Sequence, residues 1–335
     1  MPDLNGLLLI TVVLALVFDF SNGWHDCANA VATVVSTRVL SPLVAVLLAG
    51  TLNIAGAFFS TAVAKMIGGG IVYPDAITNV VVAASMGGAI LWNLFTLFLG
   101  LPTSSSHALI GGLVGSALAH GGLAVVQFQG LRSILEAMLL SPMMGFVVGL
   151  LLMITVSWTF FRVPRSVAVH IFSRLQLLSA SFMAFSHGAN DAQKVMGIIT
   201  LALVSSGTLA TPEVPTWVII ACALAMGLGT IAGGWRIVRT LGMKIVKLEP
   251  VHGFAAETSA ATVLLFTAHF GLPVSTTHTI TSSILGVGAS KRLSAVRWGV
   301  TAKILSAWIF TLPGAALLAA GFYVLLAELI GSAHT

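Results

Sequence analysis

Two stretches of the chain match each other and decide how the rest is interpreted. Residues 20–30 read FSNGWHDCANA, and residues 185–195 read FSHGANDAQKV. Aligning them places Asp26 over Asp191 and Asn29 over Lys194, with a glycine at the same position in each copy. Both copies lie inside long apolar runs. The chain therefore contains a duplicated polar motif within hydrophobic sequence.

A second pair of matching segments follows the two copies in the same order. Residues 100–107 read GLPTSSSH and residues 271–278 read GLPVSTTH, and Pro142 then lies over Pro313. Ordered blocks of this kind indicate an internal duplication. We predict a first repeat, a short basic cytoplasmic linker and a second repeat at residues 1–161, 162–174 and 175–335.

The composition indicates that the bilayer is the solvent for most of the chain. Of 335 residues, 57% are hydrophobic and 7% are charged, whereas a soluble domain carries roughly 25% charged residues. The 34 glycines fit closely packed transmembrane helices. The sequence predicts an all-α polytopic membrane protein.

Hydrophobic runs bounded by proline, glycine and charged residues predict about ten transmembrane or re-entrant helical segments. Two of them, 106–124 and 276–290, are shorter than the roughly 20 residues that a crossing needs, so they are candidates for re-entrant segments. The segments are 5–35, 42–66, 80–101, 106–124, 136–161, 175–204, 216–235, 251–271, 276–290 and 299–328.

The basic residues indicate the orientation of the chain. The net charge of +5 comes from 15 Lys and Arg against 10 Asp and Glu. The basic residues cluster at 162–174, 236–247 and 291–303, which is typical of cytoplasmic loops and not of a nucleic-acid interface. Because successive spans cross the membrane in opposite directions, placing these loops inside predicts that both termini lie outside. Five spans per half make the second repeat inverted relative to the first.

Each copy of the first motif forms a polar helical face. Spacings of three and four residues place four side chains of the first copy on one face, namely Asp19, Asn22, Asp26 and Asn29. The equivalent face of the second copy, with the positions beside it, carries His187, Asn190, Asp191, Gln193 and Lys194. Acids facing lipid would cost several kcal/mol each. Interhelical hydrogen bonds or a buried Asp–Lys pair that only hold the helices together are the alternative, but the duplication of the polar face favours binding.

The second motif is typical of an anion site. A proline followed by hydroxyl residues predicts a capped helix start with free amides at the positive end of the helix dipole. The hydroxyl residues are Ser104, Ser105, Ser106, Ser275, Thr276 and Thr277. Helix capping alone is the alternative for each run taken singly. The repeated pair, beside the repeated acids, favours two runs that converge on one anion.

Three further ionisable residues lie in apolar segments. His107 and His278 follow the hydroxyl runs directly and would contact an anion, carry protons or simply pack between helices. Glu257 is a candidate for coupling-ion chemistry, with a neutral hydrogen-bonded carboxyl group as the alternative.

At these motifs the chain resembles the inorganic phosphate transporter (PiT) family, in its bacterial branch. The resemblance implies a homodimer of inverted repeats in the cytoplasmic membrane that imports inorganic phosphate with a coupling cation and without a cofactor. By position, the residues implied for phosphate are the six hydroxyl residues with Asn29, Asn190, Gln193 and Lys194. Those implied for the coupling ion are Asn22, Asp26, Asp191 and Glu257.

The chain also departs from the family pattern. His25 and Lys194 each replace a motif asparagine, and the first half has no counterpart of Glu257. Coupling to H⁺ or Na⁺ therefore stays open, as does transport of a metal–phosphate complex. We assign no resident metal; Na⁺ would bind at Asp26 and Asp191.

Three other functions are weighed against phosphate symport. Sulfate is the alternative substrate, but only phosphate can donate its own proton to Asp26 or Asp191. A passive anion channel would favour rings of Lys or Arg over paired acids. An intramembrane enzyme is disfavoured because the sequence has neither a His-Glu-x-x-His nor a Gly-x-Ser-x-Gly motif.

Overall fold

The computed structural model describes residues 4–73 and 76–332. These residues form helices, and the one β-bridge among them joins Val72 to Val126. The helices are α1 (Leu4–Ser36), α2 (Pro42–Ala57), α3 (Ala62–Gly70), α4 (Asn79–Leu99), α5 (Ser105–Gly121), α6 (Phe128–Thr159), α7 (Arg165–Ser205), α8 (Thr216–Ala232), α9 (Trp235–Arg239), α10 (Pro250–His269), α11 (Thr276–Lys291) and α12 (Trp298–Ser332). The prediction of an all-α protein is confirmed.

Several helices are long and apolar enough to cross a membrane. By length and composition, six of those in the described residues qualify, in α1, α4, α5 with the turn after it, α6, α7 and α12. Two bent pairs raise the number to eight if each pair is one span: α2 with α3, and α8 with the segment Trp235–Lys244 that begins with α9. The chain is therefore a multi-pass membrane protein.

Two predicted spans are interrupted in the structure. The chain bends by 72° between α2 and α3, inside the predicted span 42–66, and by 60° between α8 and α9, at the end of 216–235. At the first break the Ser60 hydroxyl accepts from the backbone N–H of Ala62 at 3.1 Å, which compensates for a lost helical bond. At the second break Gly233 adopts a φ of 74°, a conformation that favours glycine.

Helices α7 and α11 bear on two further predictions. Helix α7 begins at Arg165, so most of the predicted linker 162–174 is helical. Helix α11 has 16 residues, which span about 24 Å, short of the roughly 30 Å hydrocarbon core. Whether α11 is re-entrant stays a prediction.

The two halves interlock. Helix α1 packs against α8 and helix α7 against α2, so the first helix of each half contacts the second helix of the other. The same exchange joins α5 to α12 and α6 to α11. Any site at the meeting point of α1, α5, α7 and α11 therefore depends on both halves.

The motif glycines allow these helices to approach closely. A Cβ added at Gly23 would lie 2.2 Å from the carbonyl oxygen of Met226, and one added at Gly188 would lie 2.2 Å from that of Asn53. Helices α1 and α7 are continuous through both glycines. In this structure the two glycines therefore do not unwind their helices, and they serve backbone-to-backbone packing instead.

Candidate functional site

The repeated Gly-Leu-Pro segments form the same turn in each half. Gly100 and Gly271 adopt φ values of 67° and 69°, which let the chain leave α4 and α10. Ser104 then accepts from the backbone N–H of His107 at 3.1 Å, and Ser275 from that of His278 at 3.2 Å. Both hydroxyl runs therefore start a helix with a serine N-cap, as the sequence predicts.

The polar face of the first copy, on α1, is buried and contacts the hydroxyl run of the second half. Asn29 donates through Nδ2 to Thr277 Oγ1 at 3.0 Å and to Thr276 Oγ1 at 3.2 Å. Thr277 in turn donates to Asp26 Oδ1 at 3.3 Å. Neither Asp26 nor Asn29 is more than 2% exposed. Helix α1 thus presents a carboxylate and an amide to the start of α11.

The second copy of the polar motif, on α7, contacts both hydroxyl runs. The Lys194 ammonium group contacts the Asp191 carboxylate, donates to Ser106 Oγ at 2.5 Å and donates to the Val274 carbonyl at 2.8 Å. Thr276 donates to the other carboxylate oxygen of Asp191 at 2.8 Å. An Asp–Lys pair buried among hydroxyl groups therefore lies where α5, α7 and α11 meet.

Asp26 and Asp191 lie close enough to share a cation. One ligand atom from each of Asp26, His187 and Asp191 lies within 4.8 Å of the other two. The His187 ring is oriented by Asn53, whose Oδ1 lies 3.2 Å from Nδ1, while Asn53 donates to Thr230 at 2.7 Å. Two carboxylates and an imidazole, fixed by outer partners, are a suitable cation-binding set.

His25 orients the Asp26 carboxylate. Its Nδ1 lies 2.7 Å from Asp26 Oδ1, and its Nε2 lies 3.1 Å from Thr96 Oγ1 and 3.3 Å from Thr103 Oγ1. The motif position that departs from the family pattern therefore connects Asp26 to α4 and to the first hydroxyl run.

Several polar atoms beside these residues are buried without a hydrogen-bond partner among the described residues. They are Asn22 Oδ1, Asn29 Oδ1, Ser105 Oγ, and both amide atoms of Asn190. Buried polar groups are nearly always paired in folded proteins. The unpartnered atoms on these motif residues are consistent with a binding site for a polar ligand.

Two predicted site residues lie apart from this cluster. The Gln193 carboxamide accepts from the backbone N–H of Val63 at 2.9 Å and donates to the Ala189 carbonyl, so it is committed to the start of α3. Glu257 is fully buried elsewhere and accepts from Thr33 at 2.5 Å, from Ser179 at 2.5 Å and from Gln176 at 3.0 Å.

Sequence reasoning missed the residues that support the site from other helices. Asn53, Thr96 and Thr230 each bond a motif residue or its partner. No spacing links them to the motifs, because they come from α2, α4 and α8 and meet the site only through packing.

The model of the phosphate transporter family matches the chain over residues 22–169 and 163–319. The chain belongs to this family. A "Probable low-affinity inorganic phosphate transporter" of Rhizobium meliloti is 51% identical, over 95% of this chain and 96% of that protein. A relative in Bacillus subtilis with the same description is 46% identical, over 96% of this chain and 97% of that protein.

A solved structure has the same fold as this chain. It is described as "The sodium-dependent phosphate transporter" and superposes on this chain with a TM-score of 0.89 at 24% identity, covering 96% of this chain and 99% of that chain. The resemblance inferred from the two motifs is therefore confirmed. The relatives are described as transporters, in agreement with the expectation that the chain is not an enzyme.

Proposed function

We propose that the protein imports inorganic phosphate together with a coupling cation, by alternating access to one site shared by its two halves. The observation that carries this proposal is the buried junction at which Lys194 and Asp191 of the second half meet Ser106 of the first. The relatives described as inorganic phosphate transporters support phosphate as the substrate. The solved transporter with the same fold is described as sodium-dependent, which supports a cation requirement.

Phosphate binds, on this proposal, between the two hydroxyl runs. Ser105, Ser106, Thr276 and Thr277 supply hydroxyl donors, and the starts of α5 and α11 supply the positive ends of two helix dipoles. The Asn29 amide group on α1 donates to Thr276 and Thr277, and Asn190 lies on α7 one residue before Asp191. Because all of these groups are buried, each hydrogen bond to the anion is made with little competition from water.

The coupling cation binds beside Asp26 and Asp191, with Asn22 one turn away on α1. Two carboxylates next to an incoming anion would repel it, so a cation must offset their charge. Lys194 already forms an ion pair with Asp191. Asp26 is therefore the carboxylate left for a mobile H⁺ or Na⁺. Glu257, in its separate cluster, would take part as a second coupling group.

Alternating access follows from the duplicated architecture. We propose that residues 1–161 and 175–335 are inverted repeats that move against each other around the shared site. We further propose that the protein is a homodimer in the cytoplasmic membrane, with the basic loops inside and both termini outside.

Uptake by reconstituted protein tests this function. Purified protein in liposomes receives labelled phosphate under an imposed pH gradient, an imposed Na⁺ gradient or neither, with excess sulfate as competitor. We expect accumulation driven by one gradient and unaffected by sulfate. Uptake of sulfate in place of phosphate would contradict the substrate, and uptake that ignores both gradients would contradict the coupling.

A metal–phosphate complex as the transported species is a second proposal, favoured by the group Asp26, His187 and Asp191. An imidazole beside two carboxylates suits a divalent transition metal better than Na⁺. If the complex is transported, labelled Mn²⁺ or Zn²⁺ enters the liposomes together with phosphate. A His187→Ala variant would then lose metal uptake. Phosphate uptake that continues at full rate in a chelator would exclude this version.

A further inference from the structure

A basic cavity lies away from the candidate phosphate site. Its volume is about 340 Å³, and its lining includes Lys247, Lys291, Arg292 and Arg297. These residues come from the segment before α10, the end of α11 and the segment before α12. Four cationic side chains from three segments thus converge on one concave surface.

The positive charge of this cavity is not neutralised within the protein. None of the four cations forms an ion pair among the described residues. The acid in the lining, Glu249, is paired with Arg165 at 2.5 Å and forms a capping box with His252 at the start of α10. The cavity therefore has a net positive charge available to an external anion.

The backbone around the cavity is fixed. The N–H of Arg297 donates to the Ile245 carbonyl at 3.0 Å. A Cβ added at Gly288 would lie 2.6 Å from the Val246 side chain, so α11 packs tightly against the same segment. Orientation in the membrane requires basic residues near the surface, but it does not require them to surround a preformed cavity.

We propose that this cavity is a binding site for a phosphate-bearing anion. Arginine and lysine side chains around a concave surface recognise phosphate oxygens through charge-assisted hydrogen bonds. The anion is either the headgroup of an acidic membrane lipid or a soluble polyphosphate. The site is separate from the transport site, because Lys291 ends the helix whose first turn carries Thr276.

The position of the cavity also gives an anion bound there a way to affect transport. It would contact both the end of α11 and the segment that leads into α10, the helix that carries Glu257. These are the helices that hold the second hydroxyl run and the proposed second coupling group. Binding would therefore hold the start of α10 and the end of α11 together.

Two binding measurements on the full-length protein test the proposal. Native mass spectrometry counts phosphatidylglycerol molecules retained by the protein, and calorimetry in phosphatidylcholine nanodiscs measures the affinity for pyrophosphate. The test variant is Lys291→Gln/Arg292→Gln. The matched control is Lys244→Gln/Lys303→Gln, which removes the same charge from exposed residues outside the lining.

We expect the test variant to bind at least one probe about tenfold more weakly and the control to bind it as the wild type does. Loss of phosphatidylglycerol alone identifies a lipid site, and loss of pyrophosphate alone identifies a soluble ligand. Equal weakening of binding in the test and control variants would mean that the overall charge of the protein, and not this cavity, determines binding. That result would overturn the proposal. So would the absence of binding by either probe. Pyrophosphate bound at the transport site would not respond to the test variant.

Discussion

The Lys194 ammonium group donates to Ser106 Oγ at 2.5 Å, and its counterpart in the first half, Asn29, donates to Thr277 Oγ1 at 3.0 Å. The two contacts occupy equivalent places in the repeat, and each crosses from one half to the hydroxyl run of the other. The halves differ in that one contact carries a positive charge and the other does not. This difference leads to the first prediction.

Replacing Lys194 by asparagine should make transport depend more strongly on the external cation. Lys194→Asn restores the residue present at position 29, but it leaves Asp191 buried without its ionic partner. Breaking a buried pair costs about 3–5 kcal/mol. We expect phosphate uptake in liposomes to fall about tenfold or more at the cation concentration that half-saturates the wild type, and to recover partly as the coupling cation is raised.

The double variant Asp191→Asn/Lys194→Asn is the control for this prediction, because it lacks the Asp191 carboxylate that the added cation would neutralise in Lys194→Asn. Its uptake should not recover at high cation concentration. Unchanged cation dependence in Lys194→Asn would contradict the role of Lys194 as a fixed positive charge.

Replacing Glu257 by glutamine should separate a coupling role from a structural one. Glu257→Gln keeps the size of the side chain and can still bond Thr33, Ser179 and Gln176, so the melting temperature should change little. We expect gradient-driven accumulation of phosphate to fall about tenfold, because an amide cannot take up or release the charge that coupling requires. Ser179→Ala, which removes one hydrogen bond and keeps the carboxyl group, should accumulate more phosphate than Glu257→Gln. Full accumulation by Glu257→Gln would leave this residue with a structural role only.

A methyl group at Gly188 should destabilise the fold. The added Cβ of Gly188→Ala would meet the backbone of Asn53 at 2.2 Å, and α2 and α7 would have to separate. Overpacking of this kind costs about 1–3 kcal/mol or more. Gly321→Ala on α12 is the matched control, because a Cβ there meets nothing within 4 Å. We expect a lower melting temperature in detergent for Gly188→Ala alone; equal melting temperatures would contradict the packing role.

Accessibility of introduced cysteines should reveal the orientation of the second half. Ser294→Cys lies in the exposed basic segment after α11, and Thr211→Cys lies in the exposed segment between α7 and α8. An impermeant maleimide should label the first variant only from the cytoplasmic side and the second only from outside. The native Cys27 and Cys222 are buried and should not react in the wild type. Labelling of both variants from one side would contradict the predicted topology.

The duplicated spacing carried enough information to predict which residues meet. Asp26 and Asn29 are three residues apart, as are Asp191 and Lys194, so each pair lies on one helical face whatever the tertiary structure. The structure places both pairs against the hydroxyl runs. The serine caps were equally predictable, because capping depends on residues within one turn.

Other features depend on contacts that local sequence does not encode. Gln193 follows Asp191 by two residues, and side chains so spaced point to different sides of a helix; it therefore bonds the start of α3 instead of the acids. The ring of His187 is fixed by Asn53 of α2, which no motif indicates. The break after Ala57 was missed because residues 58 and 59 are as apolar as the spans on either side.

The most direct test of the shared site compares Asp191→Asn with Glu136→Gln in the same liposome preparation. Each variant removes one carboxylate, but Glu136 lies on the surface in an exposed pair with Arg132. Initial uptake of labelled phosphate is measured under the gradient that drives the wild type. We predict wild-type uptake by Glu136→Gln and a loss of about tenfold or more for folded Asp191→Asn. Wild-type accumulation by Asp191→Asn would contradict a transport site built on this carboxylate.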